Sequence, residues 1–197
     1  GSEMCIRDRL NGTGNQKISI DDYYSTINYL EVENSASRKI EMTGNVSINR
    51  LDTDLVAATN NLSLYSIDVN GKTLTLNGDV VFYSGTQNIN GGVVNITGNL
   101  RQNNSTVILN EGALRVDGDY RIQDITTNST TGKQEYTYSY GTLKMLYDKD
   151  IVSVGGNFTT QSYQSHSSYL TAGTMEVKGD FTQISKNVND NKFRCSG

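Results

Sequence analysis

The side chains whose types could support catalysis are a single histidine and three pairs of neighbouring acids. His166 stands between Ser165 and Ser167, with no acid or cysteine beside it. A hydrolytic triad and most transition-metal sites need such partners, so we expect a solvent-exposed loop histidine without a catalytic role. A polysaccharide-cleaving enzyme would need several carboxylates on one exposed strand face. The candidate acids are Asp21 with Asp22, Asp52 with Asp54, and Asp148 with Asp150.

No cofactor and no metal site is predicted. The calcium-binding repeat of secreted toxins places glycines and aspartate at a spacing of about nine residues, whereas the doublets Gly91-Gly92 and Gly155-Gly156 stand alone. Gly91-Gly92-Val93 is not a phosphate loop, because no Gly-Lys-Ser/Thr follows it. Cys5 and Cys195 cannot supply a zinc site by themselves. They also lie near opposite ends of the sequence, so we do not expect a disulfide between them.

Composition favours strands and turns over other structure. Proline is absent from the 197 residues, while Val, Ile, Thr and Tyr are frequent, which suits sheet. The net charge of −4 argues against nucleic acid as a partner, because phosphate binding relies on clustered Lys and Arg. The sequence has no apolar run long enough to span a bilayer, so we expect no membrane insertion.

A short phrase recurs along the chain: two alternating apolar residues, a spacer, glycine, Asn or Asp, and another apolar residue. The central glycines of its regular copies lie 20 residues apart, from Gly78 to Gly98 and from Gly98 to Gly118. Such a period indicates stacked repeats. The predicted repeat corners are Gly44-Asn45, Gly78-Asp79, Gly98-Asn99, Gly118-Asp119, Gly156-Asn157 and Gly179-Asp180.

Each corner needs a sharp turn. We expect glycine to supply it by reaching positive φ, and Asn or Asp by tolerating the left-handed conformation. Asp79, Asp119 and Asp180 align with asparagines in other copies. The interchange of Asp with Asn predicts a turn-capping role, since catalysis needs the ionisable group. The longer intervals carry insertions: a protruding polar loop at Thr126–Lys133 and a short helix or loop at Leu51–Asn61.

The predicted fold is all-β: a single-stranded parallel β-helix (β-solenoid), right-handed, with coils of about 20 residues and about seven coils in total. The alternative is an antiparallel β-sandwich, which also has short strands between turns but does not require one phrase at every strand. Gly1 is interpreted as a tag remnant, and Glu3–Arg9 resembles a translated sequencing-adapter fragment from a metagenomic assembly. Residues 1–9 are therefore set aside, and residues 10–197 are predicted to be one solenoid domain, a fragment of a longer repeat protein.

Tyrosines alternate at positions 136, 138 and 140 and would share one strand face. Two interpretations remain open for Tyr136, Tyr138 and Tyr140. As an exposed surface they would stack on sugar rings or on a partner protein, and as a packed surface they would shield one side of the solenoid.

The late repeats resemble a known protein group. Gly173–Gln183, with the sequence GTMEVKGDFTQ, is similar to a phrase of large repetitive secreted proteins of gut Firmicutes, and Tyr169–Ala172 and Ile151–Thr160 resemble the same arrays. The resemblance covers roughly residues 70–185. It implies stalk or shaft regions of surface-exposed proteins, sometimes placed ahead of toxin-like or adhesive domains.

Together these observations predict a structural stalk or adhesin-like spacer without catalysis, in a secreted or cell-surface protein of a gut bacterium. The expected location is extracellular or at the bacterial surface. Expected partners are neighbouring repeats or domains of the parent protein, and surface glycans or proteins of host or bacterium. The alternative function is a carbohydrate-binding or polysaccharide-cleaving β-helix protein.

Overall fold

The fold is a β-solenoid of about six turns built from parallel strands, as the repeat predicts. The computed structural model describes residues 7–10, 15–19, 26–27, 29–32, 39–49, 66–185 and 193–194. None of these segments forms a helix that is long and apolar enough to cross a membrane. Parallel pairing across successive turns rules out the antiparallel sandwich.

Three parallel sheets run along the solenoid, and we call them faces one, two and three. Face one consists of β2 (Gln16–Ile18), β4 (Lys39–Met42), β6 (Ser66–Asp68), β9 (Thr86–Asn88), β12 (Thr106–Ile108) and β17 (Thr142–Lys144). Face two consists of β5 (Val46–Ile48), β7 (Thr73–Leu76), β10 (Val93–Ile96), β13 (Ala113–Val116), β18 (Ile151–Val154) and β20 (Thr174–Val177). Face three consists of β8 (Val80–Phe82), β11 (Leu100–Gln102), β14 (Tyr120–Ile122), β19 (Phe158–Thr160) and β21 (Phe181–Gln183).

The remaining four strands form two pairs. β1 (Arg7–Leu10) pairs in parallel with β3 (Tyr29–Val32), so residues 7–9 belong to a strand. β15 (Asp124–Thr127) and β16 (Gln134–Thr137) form an antiparallel hairpin that leaves the solenoid after face three. The segment expected to be a protruding loop at Thr126–Lys133 is thus partly a strand, and its irregular part is the turn at 128–133.

The alternating apolar residues form continuous inner ladders. On face two, Leu74 pairs with Val94, Val94 with Leu114, Leu114 with Val152, and Val152 with Met175. The first four are buried, because side chains alternate across a strand and one set points into the solenoid. Each buried side chain of this size contributes about 2 kcal/mol relative to exposure.

Face three carries an aromatic ladder in its later turns. Tyr120 meets Phe158 edge to face, with ring centroids 5.2 Å apart, and Phe158 lies 5.2 Å from Phe181. The Tyr120 hydroxyl donates a hydrogen bond to the Oε1 atom of Gln102. Burial raises the pKa of the Tyr120 phenol, so this donor stays protonated and serves packing.

The first copy of the phrase occupies a different place from the others. Gly44 and Asn45 connect β4 to β5, and therefore lie between faces one and two. The other five copies connect faces two and three. The first copy is therefore not equivalent to the other five, as the sequence suggested, but lies one face earlier in the turn. The predictions for Asp21, Asp22, Asp52, Asp54, Leu51–Asn61, Cys5 and Cys195 lie outside the described residues.

Candidate functional site

The corner between faces two and three, which we call the second corner, carries a ladder of acid and amide side chains. The Oδ1 atom of each Asx residue accepts a hydrogen bond from the backbone N–H of the Asx residue one turn on. The donor–acceptor distances are 2.7 Å from Asn99 to Asp79, 2.8 Å from Asp119 to Asn99, 2.8 Å from Asn157 to Asp119 and 2.8 Å from Asp180 to Asn157.

Acids and amides alternate along this ladder. The Nδ2 atom of Asn99 also donates to Asp79 at 3.0 Å, and that of Asn157 donates to Asp119 at 3.2 Å. Two carboxylates are therefore never neighbours, and like charges lie two turns, about 10 Å, apart. The hydrogen bond from the Asn157 backbone, followed by Arg121, lowers the pKa of Asp119. These acids act in turn-to-turn stacking.

Crowding explains four of the five second-corner glycines, and for these four the expected explanation through positive φ is wrong. Gly98, Gly118, Gly156 and Gly179 lie outside the left-handed region, and only Gly78 has a positive φ of 113°. A Cβ atom on Gly98 would lie 2.5 Å from both the Asp79 Oδ1 atom and the Gly78 carbonyl carbon. The stacked corner leaves no room for a side chain.

The corner between faces one and two, the first corner, is where the backbone does turn left-handed. Asn70 and Gly71 have φ values of 50° and 70°, and Asn90 and Gly91 have 47° and 72°. A hydrogen bond from Lys72 N to Val69 O, at 3.0 Å, closes the first of these turns. Two successive positive φ values define a type I′ turn. The sequence predicted a turn between the strands of these two faces but not its type, although the two Asn-Gly pairs, 20 residues apart, signal a type I′ turn.

Asp150 is a structural acid. Its side chain is buried, and its Oδ1 atom accepts a hydrogen bond from Glu111 N at 2.6 Å. Its Oδ2 atom accepts from Leu146 N at 2.7 Å and from Tyr147 N at 3.1 Å. Asp148, its expected partner in an acid pair, is exposed. The Asp150 carboxylate therefore holds the loop between β17 and β18 in place.

His166 is buried, with 0% exposure, so the expectation of a solvent-exposed histidine is wrong. Its Nε2 atom accepts a hydrogen bond from Leu143 N at 3.1 Å. Because Nε2 accepts, the neutral ring carries its proton on Nδ1, which lies 3.1 Å from the Gln164 carbonyl oxygen. The Phe193 ring lies 4.9 Å away. The histidine thus supplies the acceptor that a face-one N–H needs where no regular strand follows.

The alternating tyrosines have mixed surroundings. Tyr138 stacks on Tyr163 with ring centroids 4.8 Å apart, and Tyr140 lies 5.1 Å from the same ring. Tyr136 is 53% exposed, and its ring lies 5.1 Å from the guanidinium carbon of Arg121. The packed interpretation holds for Tyr138, whereas Tyr136 presents its ring at the surface.

A groove of about 800 Å³ lies between the outer side of face three and the β15–β16 hairpin. Its floor includes Arg101 and Arg121, the outward residues of β11 and β14. Asp124 and Tyr136 line it from the hairpin, and Tyr83 lies at its edge beyond β8. Of its lining, the sequence predictions named Tyr136, Asp79, Asn99 and Asp119, but not as one site and without the two arginines. Two arginines 20 residues apart, at equivalent outward positions, were the available signal.

Arg101 is the polar group of the groove with the least complete set of partners. Its side chain is 15% exposed, and Nη1 lies 3.7 Å from the Asp124 Oδ1 atom. Nη1 is buried and makes no hydrogen bond. Burial lowers the pKa of Arg101, and the Asp124 carboxylate opposes that effect. The groove thus offers a guanidinium donor beside a carboxylate acceptor.

Comparisons with known proteins found no match for this chain. No protein-family model, curated protein or solved structure matches it. Within the part of the chain that the structure describes, no three His, Cys, Asp or Glu side chains are grouped so that they could hold a metal ion.

Proposed function

We propose that this chain is a structural spacer, a rigid stalk segment of a bacterial cell-surface or secreted protein of the adhesin-like, repetitive kind that its late repeats resemble. In this proposal it acts extracellularly and performs no catalysis. Its first partners are the neighbouring repeats or domains of the parent protein.

The observation that best supports this proposal is that hydrogen bonds join successive turns at the second corner as well as on the three faces. Besides the side-chain ladder, Gly98 N donates to Gly78 O at 3.1 Å and Gly118 N donates to Gly98 O at 3.0 Å. Bending the solenoid would stretch these bonds on one side together with the strand ladders. A spacer needs such resistance to bending, which an unstructured linker lacks.

The use of the ionisable groups supports the same proposal. Asp119 and Asp150 are engaged in hydrogen bonds to backbone N–H groups, and His166 accepts one from Leu143. Among the described residues, β20 and β21 pair on one side only.

Single-molecule force spectroscopy tests the proposal, with Cys5 and Cys195 as attachment points. We expect the protein to keep its folded length at forces that already extend a Gly/Ser linker of 197 residues, and then to lengthen in large steps. Extension that follows the linker curve would overturn the spacer proposal, because a compliant chain cannot hold a domain at a fixed distance.

A further inference from the structure

The groove on face three has features that the spacer role does not use. Along the solenoid, face three presents five strands at a spacing of about 4.8 Å, and the β15–β16 hairpin overhangs its middle turns. A stalk needs neither a hairpin at this place nor a buried guanidinium beneath it. We propose that the groove binds a neutral carbohydrate chain.

Asp124, Arg121 and Arg101 account for the polar part of recognition. The buried Nη1 atom of Arg101 has an unused donor, and leaving such a group without a partner is costly. Asp124 lies 3.7 Å away and offers acceptor oxygens. A sugar hydroxyl both donates and accepts. Two adjacent hydroxyls can therefore bind here at once, one donating to Asp124 and the other accepting from Arg121, whose side chains are each 30% exposed, while the buried Arg101 holds Asp124 in place.

Aromatic rings supply the apolar part. Tyr136 and Tyr83 are 53% and 42% exposed, and both line the groove. A pyranose ring presents a face of C–H groups that packs on such a ring. Tyr136 already rests on the Arg121 guanidinium, so its position costs little further side-chain entropy on binding. Tyrosine is suited to this place, because one end is apolar and the other can remain hydrated.

Charge decides between neutral and acidic glycans. Arg101 and Arg121 contribute two positive charges to the lining, whereas Asp79, Asp119 and Asp124 contribute three negative charges. Each arginine also lies beside an acid: Arg101 near Asp124 at 3.7 Å and Arg121 with Asp119 at 3.0 Å. No excess of positive charge remains for a uronate or sulfate group. The occupant is therefore a neutral chain, and an open groove of this volume has room for several sugar units.

Titration calorimetry with defined oligosaccharides tests the proposal. The probes are neutral hexasaccharides of β-1,4-linked glucose, xylose, mannose and N-acetylglucosamine, and a galacturonic acid hexamer as the anionic comparison. We expect saturable binding of at least one neutral hexasaccharide. Tyr136→Ala should weaken that binding about tenfold, which corresponds to about 1.4 kcal/mol, because the ring contact is lost. Arg101→Gln should weaken it at least as much.

Tyr147→Ala is the matched control, because Tyr147 is also exposed, at 46%, but lies outside the groove. It should leave the dissociation constant unchanged. Tyr136 is a surface residue, so its variant remains folded even if Arg101→Gln does not. The proposal is overturned if no neutral hexasaccharide binds at millimolar concentration, if only the galacturonic acid hexamer binds, or if Tyr136→Ala binds as tightly as the unsubstituted protein. The force measurement is independent of all these outcomes.

Discussion

At the first corner, glycine follows asparagine because the backbone enters the left-handed region, and the space around the glycine is empty. At four of the five second corners, all but that of Gly78, glycine precedes Asx because the stacked turn leaves no space, and its φ lies outside the left-handed region. Gly91 illustrates the first case, with a φ of 72° and no atom within 4 Å of the position that a Cβ atom would take, whereas Gly98 illustrates the second. The same two residue types are thus required by conformation at one corner and by packing at the other.

The two corners also differ in whether the hydrogen bonds that hold them are local or non-local in sequence. A type I′ turn is closed by a hydrogen bond within four residues, as between Lys72 and Val69. The second corner is held by bonds between residues about 20 positions apart, as between Asn99 and Asp79. We therefore expect substitutions at the first corner to act on one turn. Substitutions at the second corner should disturb the stacking of two turns.

The largest expected effect is that of Gly98→Ala. Its Cβ atom would lie 2.5 Å from backbone and side-chain atoms of the preceding corner, so the two turns must move apart. We expect a loss of about 3 kcal/mol in the free energy of unfolding, the upper range of overpacking changes. Urea denaturation followed by circular dichroism at a β-sheet wavelength measures it.

Gly91→Ala is the matched control for that prediction. A methyl group there meets nothing within 4 Å, and its cost of about 1 kcal/mol comes from the left-handed backbone alone. If Gly91→Ala destabilises the protein more than Gly98→Ala, the assignment of conformation to one corner and packing to the other is wrong.

A smaller, pH-dependent effect is expected of Asp119→Asn. The pKa of Asp119 is lowered in the folded protein, first by the Asn157 backbone N–H and also by Arg121. A lowered carboxyl pKa stabilises the folded state above the unfolded pKa, and this contribution is lost as the pH falls through the folded pKa. At pH 7 the variant should be less stable by less than about 1 kcal/mol, because solvent screens the interaction between Asp119 and Arg121. The difference should close below about pH 4.

Melting curves between pH 3 and pH 8 measure this difference. Asp117→Asn removes a nearby exposed carboxylate and serves as the control, with an expected change in Tm within about 1 °C at pH 7. A gap between Asp119→Asn and the unsubstituted protein that is constant across the pH range would contradict a charged role for this ladder position.

The smallest expected effect is a gain in stability. Glu111 occupies the first-corner position that glycine holds in the preceding turns, and its φ is 63°. Glu111→Gly should relieve the left-handed cost and lose an exposed ion pair with Lys149 of 2.9 Å, which is worth little. We expect a net gain of about 0.5 kcal/mol after the added chain entropy of glycine.

Glu111→Gln is the control, because it removes the ion pair and keeps the backbone cost. It should be neutral or slightly destabilising by urea denaturation. If Glu111→Gly is less stable than Glu111→Gln, the left-handed strain at this corner has been overestimated.

Much of the fold could be predicted from the sequence, because the strands follow from an alternation of apolar and polar residues that recurs in each repeat. The phrase at Leu74–Val80 and Val94–Leu100 contains the face-two strand, the second corner and the start of face three. What failed was the reason for the glycines. The close approach of Gly98 to Gly78 depends on the neighbouring turn, and spacing along one strand does not reveal it.

The surroundings of single side chains were less predictable. His166 is buried because Leu143, 23 residues away, needs an acceptor and Phe193 covers the ring. Arg101 and Asp124 come together because the hairpin folds over face three. Each case depends on an irregular insertion, where the repeat no longer indicates which residues become neighbours.

The alternation of acid and amide at the second corner has a consequence for how such a chain can change in length. Removing the single turn from Asn99 to Gly118 would bring Asp79 directly beneath Asp119 and set two carboxylates against each other. Removing two turns would restore an acid beside an amide. Loss of an amide turn should therefore be harder to accommodate than loss of the Asp119 turn, which would only set Asn99 beside Asn157.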